Sequence, residues 1–465
     1  MNIFSTVHKF RSTSPVTGEV LASYAEIDET ELEGKLAATA AAQRKWGVSS
    51  IATRAAVLRT IAARLRAERA ELGRLATLEM GKTYAAAMAE ADKSAMTCDW
   101  YAEHGADILK DTYVAIPTGS ARVTMLPLGV VLAIMPWNFP IWQAMRFIAP
   151  AIMAGNGILL KHAANVPQCA LAIERLVREA GVPLGMPADV FTNLFVDTTL
   201  IPGIIADDRV VAVTLTGSER AGIAVAEAAG KALKKCVLEL GGSDPFIVMP
   251  SADLEQAVKI GVHARMHNNG QSCVCAKRFI IHESVYDRFE AGFVAAAQKM
   301  PIGDPMDPAI EMGPICTRTA RDDLHAQVER ATKAGARVLT GGSKMDGPGY
   351  FYPPTVLVDV PVGSAISREE FFGPVAMLFK ASSKEEALRI ANDVPFGLGS
   401  SVWTTDEAEA EFFVRGIEAG ITAINTMVLS DPRVPFGGVK KSGYGRELAD
   451  LGLREFVNVK TVLKG

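Results

Sequence analysis

Between residues 129 and 240, short apolar runs and amphipathic stretches take turns, and this alternation restricts the fold more than any other feature. The runs at 130–135, 157–161, 190–195, 210–215 and 236–240 are dense in Val, Ile and Leu, as strands buried on both faces are. The stretches 141–154, 168–180 and 219–229 between them carry helical spacing. Strand–helix–strand units of this kind build a parallel sheet, so the class is α/β. A second alternating set begins at residue 245, with helices expected at 252–269, 284–299 and 318–334. Its strands are expected at 278–282, 356–358, 375–379 and 400–403. Ahead of both sets, 31–46, 52–81 and 82–104 read as helices. Residues 112–123 alternate like an exposed strand, and 455–463 form a late strand with no partner nearby in sequence. A chain of 465 residues exceeds one ordinary core, so two or more domains are expected.

Composition narrows the function classes. Apolar content of 49% and charged content of 22% are those of a globular protein. A net charge of -4 speaks against nucleic acid as a partner. No apolar run is long enough to span a bilayer, and residues 1–11 lack the apolar core of a secretory leader. Of the six cysteines, Cys98, Cys169, Cys236 and Cys316 are scattered, and only Cys273 and Cys275 lie close together. Free thiols and a cytoplasmic location are therefore expected. No metal is expected, because no second Cys/His pair completes a zinc set.

The chemistry concentrates between Leu238-Glu239-Leu240-Gly241-Gly242 and Asn268-Asn269-Gly270-Gln271-Ser272-Cys273-Val274-Cys275. A thiol can attack a carbonyl carbon, and a carboxylate can activate the water that releases the product. Taken singly, Gly-Gly is usually a turn and a lone Cys usually a core residue. Pro136-Trp137-Asn138-Phe139-Pro140 ends a strand in a stiff loop. Asn138 is there either an oxyanion donor or, more commonly for such spacing, a helix cap. Thr216-Gly217-Ser218, with Gly222 beyond, is a small-residue strand-to-helix turn open to a phosphate. Lys161 ends another strand and either binds ribose or phosphate or is solvated. No G-x-G-x-x-G fingerprint occurs anywhere in the chain. Gly81-Lys82-Thr83 imitates a P-loop ending, but Ala76 stands where that loop needs glycine. In Glu369-Glu370-Phe371-Phe372-Gly373-Pro374, Glu370 can accept from ribose hydroxyls and Phe372 can pack on a flat ring; alone, the segment reads as a helix end.

In this order, together with Pro435-Phe436-Gly437-Gly438 and Ser442-Gly443-Tyr444-Gly445-Arg446-Glu447, these segments resemble the NAD(P)-dependent aldehyde dehydrogenase superfamily over nearly the whole chain. The resemblance implies Cys273 as nucleophile, Glu239 as general base and Asn138 as oxyanion donor. It implies a cofactor site formed by Trp137, Lys161, Ala164, Thr216, Gly217, Ser218, Gly222, Leu240, Glu370 and Phe372. It also implies three parts: a nicotinamide-binding α/β domain (1–111 and 127–240), a catalytic α/β domain (241–430), and a small β oligomerisation element (112–126 and 431–465). Edge strands of the last kind seek another subunit, so a homodimer or homotetramer is expected.

Within the superfamily the chain is most similar to bacterial succinate semialdehyde dehydrogenases, through Lys161-His162-Ala163-Ala164-Asn165-Val166-Pro167 and Ser430-Asp431-Pro432-Arg433. That likeness implies Arg146 and Ser430 as receptors for a distal carboxylate, the alternative for Arg146 being a salt bridge to a structural acid. Some relatives carry Arg at the position of His267, and Arg265 is the nearest substitute. Ala164 offers neither a carboxylate to repel a 2′-phosphate nor a hydroxyl to welcome it, so NADP or NAD is expected, with a lean to NADP. Cys275 is a candidate resolving thiol for Cys273, the alternative being a small core residue. Bonds between i and i+2 thiols are strained and easily reduced. The expected activity is aldehyde oxidation through a Cys-bound thioester, with succinate semialdehyde as substrate. The alternatives are another small aldehyde or a cofactor-free thiol hydrolase.

Overall fold

The computed structural model describes residues 9–465; most of the segment inspected for a leader lies outside them. Two sheets carry the molecule. The first has six strands in the order Gly443–Tyr444, Lys235–Glu239, Val210–Thr216, Val130–Met135, Gly157–His162 and Phe191–Asn193. Its five inner and far strands run parallel, and only Gly443–Tyr444 is antiparallel, with Gly443 opposite Glu239. Val130–Met135 is nearly all buried because helices cover both faces of this sheet. One face packs on Ile51–Ala67, Tyr84–Ile108, Trp142–Ala154 and Pro167–Gly181. The other packs on Glu29–Trp46, Ile201–Ala206 and Glu219–Lys231.

The second sheet has seven strands, ordered Arg337–Thr340, Thr355–Val358, Val375–Ala381, Ala276–His282, Asp244–Val248, Ser401–Trp403 and Ala423–Ile424. All pairs are parallel except the one made by Arg337–Thr340. Separate apolar clusters fill its two faces. The late strand finds its partner far away in sequence. Val457–Lys464 pairs antiparallel with Gly119–Pro127, which pairs in turn with Thr112–Ile116. The segment 431–465 therefore divides among this three-stranded sheet, the edge of the first sheet and a two-stranded pairing of Val439–Lys440 with Phe396–Gly397.

The helix expected over 52–81 is two helices, Ile51–Ala67 and Arg69–Met80, because the chain leaves helical geometry at Glu68 (φ -97, ψ 7). The second of them ends in a buried carboxylate that holds another helix in place. Glu79 is 1% exposed and accepts from the backbone N–H groups of Gln168 (3.0 Å) and Cys169 (2.9 Å) in the first turn of Pro167–Gly181. That turn has no side-chain cap of its own, so Glu79 satisfies its orphan donors. Glu79→Ala is expected to destabilise the protein by about 2–4 kcal/mol, the loss of two charge-assisted bonds. The fall should appear as a lower urea midpoint, and an unchanged midpoint would remove Glu79 from this role.

Candidate active site

Between the two sheets lies a cavity of about 320 Å³ bounded by Tyr84–Ile108, Trp142–Ala154, the Cys273 loop and residues 427–436. Cys273 reaches it from an unusual backbone. The helix Leu254–Met266 stops, and Asn268 (φ 54) and Asn269 (φ 58) both adopt the left-handed conformation. Gly270 (φ +72) follows, with the Gly373 carbonyl carbon 2.3 Å from where a Cβ would stand. Asparagine tolerates this geometry better than most residues because its short amide bonds locally. Asn269 donates to the carbonyls of Gly81 (2.8 Å) and Pro314 (3.0 Å), and Asn268 to those of Asn138 (2.9 Å) and Gln271 (3.1 Å).

Beyond the thiol, Lys277 donates to the carbonyls of Ser272 (2.9 Å) and Cys273 (2.7 Å) and pairs with Glu370 at 3.2 Å. Burial pushes the Cys273 thiol up to about 12, while the charges of Arg146 and Lys277 pull it down. The resting group is therefore the thiol, held where cations favour its ionisation. Asn138 donates from Nδ2 to the Gln271 carbonyl at 3.1 Å. A primary amide has two N–H groups, so a second donor is free for an oxyanion.

Glu239 closes the strand Lys235–Glu239 and is 2% exposed, and neither carboxylate oxygen has a hydrogen-bond partner among the described residues. Burial and the neighbouring Glu447 hold it well above the usual carboxylate range, with Arg146 and Arg446 acting in the opposite sense. Gly437 gives it room: a Cβ there would stand 2.7 Å from Oε1.

The three arginine and serine positions expected to meet substrate separate sharply. Arg265 is a correction. Its side chain is fully buried and donates to the carbonyls of Ala276, Gly270 and Gly373, so it braces the nucleophile loop and does not line the cavity. Arg146 does line the cavity, but its guanidinium already has an anion. It forms a buried ion pair with Glu447, donates to Thr216 Oγ1 at 3.1 Å and lies 4.9 Å from the Phe436 ring centroid. That ion pair is the contact the structural-acid alternative names. Ser430 stands in the wall and accepts from Lys93 Nζ at 2.6 Å. His267 also lines the cavity, and burial lowers it to about 3, so it is uncharged at neutral pH. Cys275 is buried, and its thiol donates to the His267 carbonyl at 3.4 Å.

Two functional-site residues carried no motif. Lys277 had a faint signal, since a Lys-Arg pair inside the otherwise apolar strand Ala276–His282 must find buried acceptors. Lys93 had none, because an Asp-Lys pair in an alanine-rich helix reads as a solvated face.

The cofactor-side positions gather at the carboxyl ends of the first sheet, where ligands of parallel sheets bind. Lys161 is 9% exposed and makes no hydrogen bond or ion pair among the described residues, and burial lowers its pKa. A buried, unpartnered ammonium fits a ribose or phosphate ligand. Ala164 follows, its carbonyl taken by the Arg11 N–H at 3.0 Å. Ser218 caps the helix Glu219–Lys231, accepting from Ala221 N–H, and the Gly217 N–H donates to the Glu239 carbonyl. Gly222 lets that helix meet Leu240, whose Cδ1 lies 2.6 Å from where a Cβ would stand. Glu370 accepts from the Gly242 N–H at 3.1 Å, and Trp137 meets Phe372 edge to face at 5.8 Å. The residues present fit a nicotinamide dinucleotide.

Comparison with known proteins agrees. The Aldehyde dehydrogenase family profile matches residues 4–462. The chain is 48% identical over 449 residues to the probable succinate-semialdehyde dehydrogenase [NADP(+)] of Synechocystis sp., covering 97% of this chain and 98% of that one. It is 49% identical over 459 residues to the succinate-semialdehyde dehydrogenase [NADP(+)] of Mycobacterium avium, covering 97% and 96%. The crystal structure of succinic semialdehyde dehydrogenase from Streptococcus pyogenes in complex with NADP+ superposes with a TM-score of 0.95 at 38% identity, covering 98% of this chain and 99% of that one. With the thiol, the buried carboxylate and the amide arranged as above, this chain belongs to the aldehyde dehydrogenase family.

Proposed function

We propose that the protein oxidises succinate semialdehyde to succinate with NADP. The observation that carries this reading is a single cavity that joins the Cys273 thiol to a cationic side chain, Lys93, with no ion-pair partner among the described residues. The names of the similar enzymes support the same substrate and cofactor. Ala164 supports NADP further, since no carboxylate at that position repels a 2′-phosphate.

Cys273, ionised with the help of Arg146 and Lys277, adds to the aldehyde carbon. The second N–H of Asn138 and a backbone N–H near Cys273 receive the oxyanion. A bound oxidised nicotinamide would supply the acceptor for the hydride lost as Cys273 becomes acylated, and Lys161, Thr216, Ser218 and Glu370 are the residues that would hold it. Glu239, whose raised pKa makes it a stronger base once ionised, takes a proton from the water that attacks the thioester. Succinate then leaves, and the Cys273 thiol is restored. A homodimer or homotetramer through the sheet of Thr112–Ile116, Gly119–Pro127 and Val457–Lys464 is part of the proposal. Tyr113 (72% exposed) and Leu463 (70%) on its outer strands support it, and light scattering gives the mass that decides.

Formation of reduced nicotinamide from succinate semialdehyde, with NADP and with NAD, tests the activity. Failure to outpace butanal with either cofactor would exclude the substrate. Cys273→Ala is expected to abolish turnover and retain NADP binding, whereas near-normal turnover would exclude the mechanism. Glu239→Gln is expected to give a burst of reduced nicotinamide followed by a slow steady rate, with acyl-enzyme visible by intact mass. Unchanged turnover without acyl-enzyme would remove Glu239 from deacylation. Cys275 is proposed as resolving thiol: peroxide should silence the enzyme, and dithiothreitol should revive the parent but not Cys275→Ala. Equal recovery of both, with no Cys273–Cys275 linkage by peptide mass spectrometry, would dismiss the switch.

A further inference from the structure

Charge matching around the cavity leaves one group without a counter-ion. Besides the two thiols, its ionisable lining consists of Glu90, Lys93, Arg146 and His267. Glu90 is paired with Lys82 and also accepts from the Ile141 (2.7 Å) and Trp142 (2.8 Å) backbone N–H groups. Arg146 is paired with Glu447. His267 is uncharged at neutral pH. Lys93 has no ion pair among the described residues. Its ammonium donates to the Ser430 hydroxyl at 2.6 Å and lies 4.4 Å from the Trp142 ring centroid. Asp431, the nearest acid in sequence to Ser430, is engaged by Arg433 at 2.7 Å.

We infer that Lys93, with Ser430 beside it, receives the distal carboxylate of the aldehyde substrate, the role for which Arg146 is already neutralised. The inference rests on the proposed succinate semialdehyde reading. Three observations converge on it. Lys93 and Cys273 share one cavity, so an ω-oxo acid can offer its carbonyl to the thiol and its carboxylate to the ammonium. A hydroxyl bonded to the ammonium keeps one lone pair for Lys93 and a donor for the incoming oxygen. Burial and the charge of Arg146 lower Lys93 to about 8 against the smaller opposing pull of Asp431 and Glu90, so it remains mostly cationic at neutral pH while no carboxylate among the described residues forms an ion pair with it. The apolar remainder of the wall, including Trp142, Val428 and Phe436, strengthens an ion pair formed there. Lys93 also sets selectivity in the other direction, because an uncharged aldehyde leaves the ammonium unmatched.

The test uses the full-length enzyme saturated with NADP and compares kcat/KM for succinate semialdehyde with that for butanal, an uncharged aldehyde of equal carbon number. In Lys93→Met the ratio of the two is expected to fall about tenfold to a hundredfold, the range for one charge-assisted contact. Lys93→Arg should restore most of it. Ser430→Asp, which hands Lys93 an internal carboxylate, should lower the ratio as well and serves if Lys93→Met fails to fold. A parent enzyme that does not prefer succinate semialdehyde would overturn the substrate reading and this inference together. A parent that prefers it, with the ratio unmoved in Lys93→Met or Ser430→Asp, would overturn the assignment of Lys93 alone.

Discussion

The cavity is organised by a buried carboxylate, Glu90. It is 4% exposed, and such a charge persists only where every lone pair is engaged. One oxygen accepts two backbone N–H groups where the Asn138 loop enters the helix Trp142–Ala154; the other meets Lys82, whose ammonium lies 3.9 Å from the Phe139 ring centroid. Three pieces of chain are thereby fixed to one another: the end of Arg69–Met80, the helix Tyr84–Ile108 and the loop that carries Asn138. Lys93 stands one helical turn beyond Glu90 on the same lining face, so the acid that shapes the cavity also sets where its free cation points.

The nucleophile loop obeys a related rule. Its carbonyls turn inward and are satisfied by buried cations and amides: Gly270 by Arg265, Gln271 by Asn138 and Asn268, Ser272 and Cys273 by Lys277, while Asn269 ties the loop to the carbonyls of Gly81 and Pro314. These groups keep a loop of left-handed residues rigid and leave positive charge around the thiol. Rigidity and electrostatics come from the same side chains, which is economical for a group that must ionise in a buried site.

Legibility from the sequence followed the range of the interactions. Val130–Met135 and Val210–Thr216 stand out because burial on both faces writes an apolar run. The hairpin of Phe10–Thr13 and Val20–Tyr24 and the strand Arg337–Thr340 did not, being short and mostly half-exposed. Cys273, Glu239 and Asn138 were readable because each sits in a stretch whose residue types are constrained by turns and small neighbours. Which cation of the cavity keeps no ion-pair partner was not readable, because it depends on which charges cancel across contacts as distant as Arg146 with Glu447. Arg265 and Arg146 look alike in sequence, as arginines among apolar neighbours. Only the placement of carbonyls around one and a carboxylate beside the other tells them apart.

The antiparallel pairing of Gly443–Tyr444 with Leu238–Glu239 bears on how the protein is made. Glu239 lies at the sheet edge that this late segment covers, Arg146 waits for Glu447, and Tyr101 donates to the Ala449 carbonyl. The ribosome must therefore make residues 443–449 as well before Glu239, which comes far earlier in the chain, acquires its final surroundings. Until then the emerging chain holds Cys273 without the finished surroundings of Glu239, so the pocket that joins the two is completed by a segment made long after both.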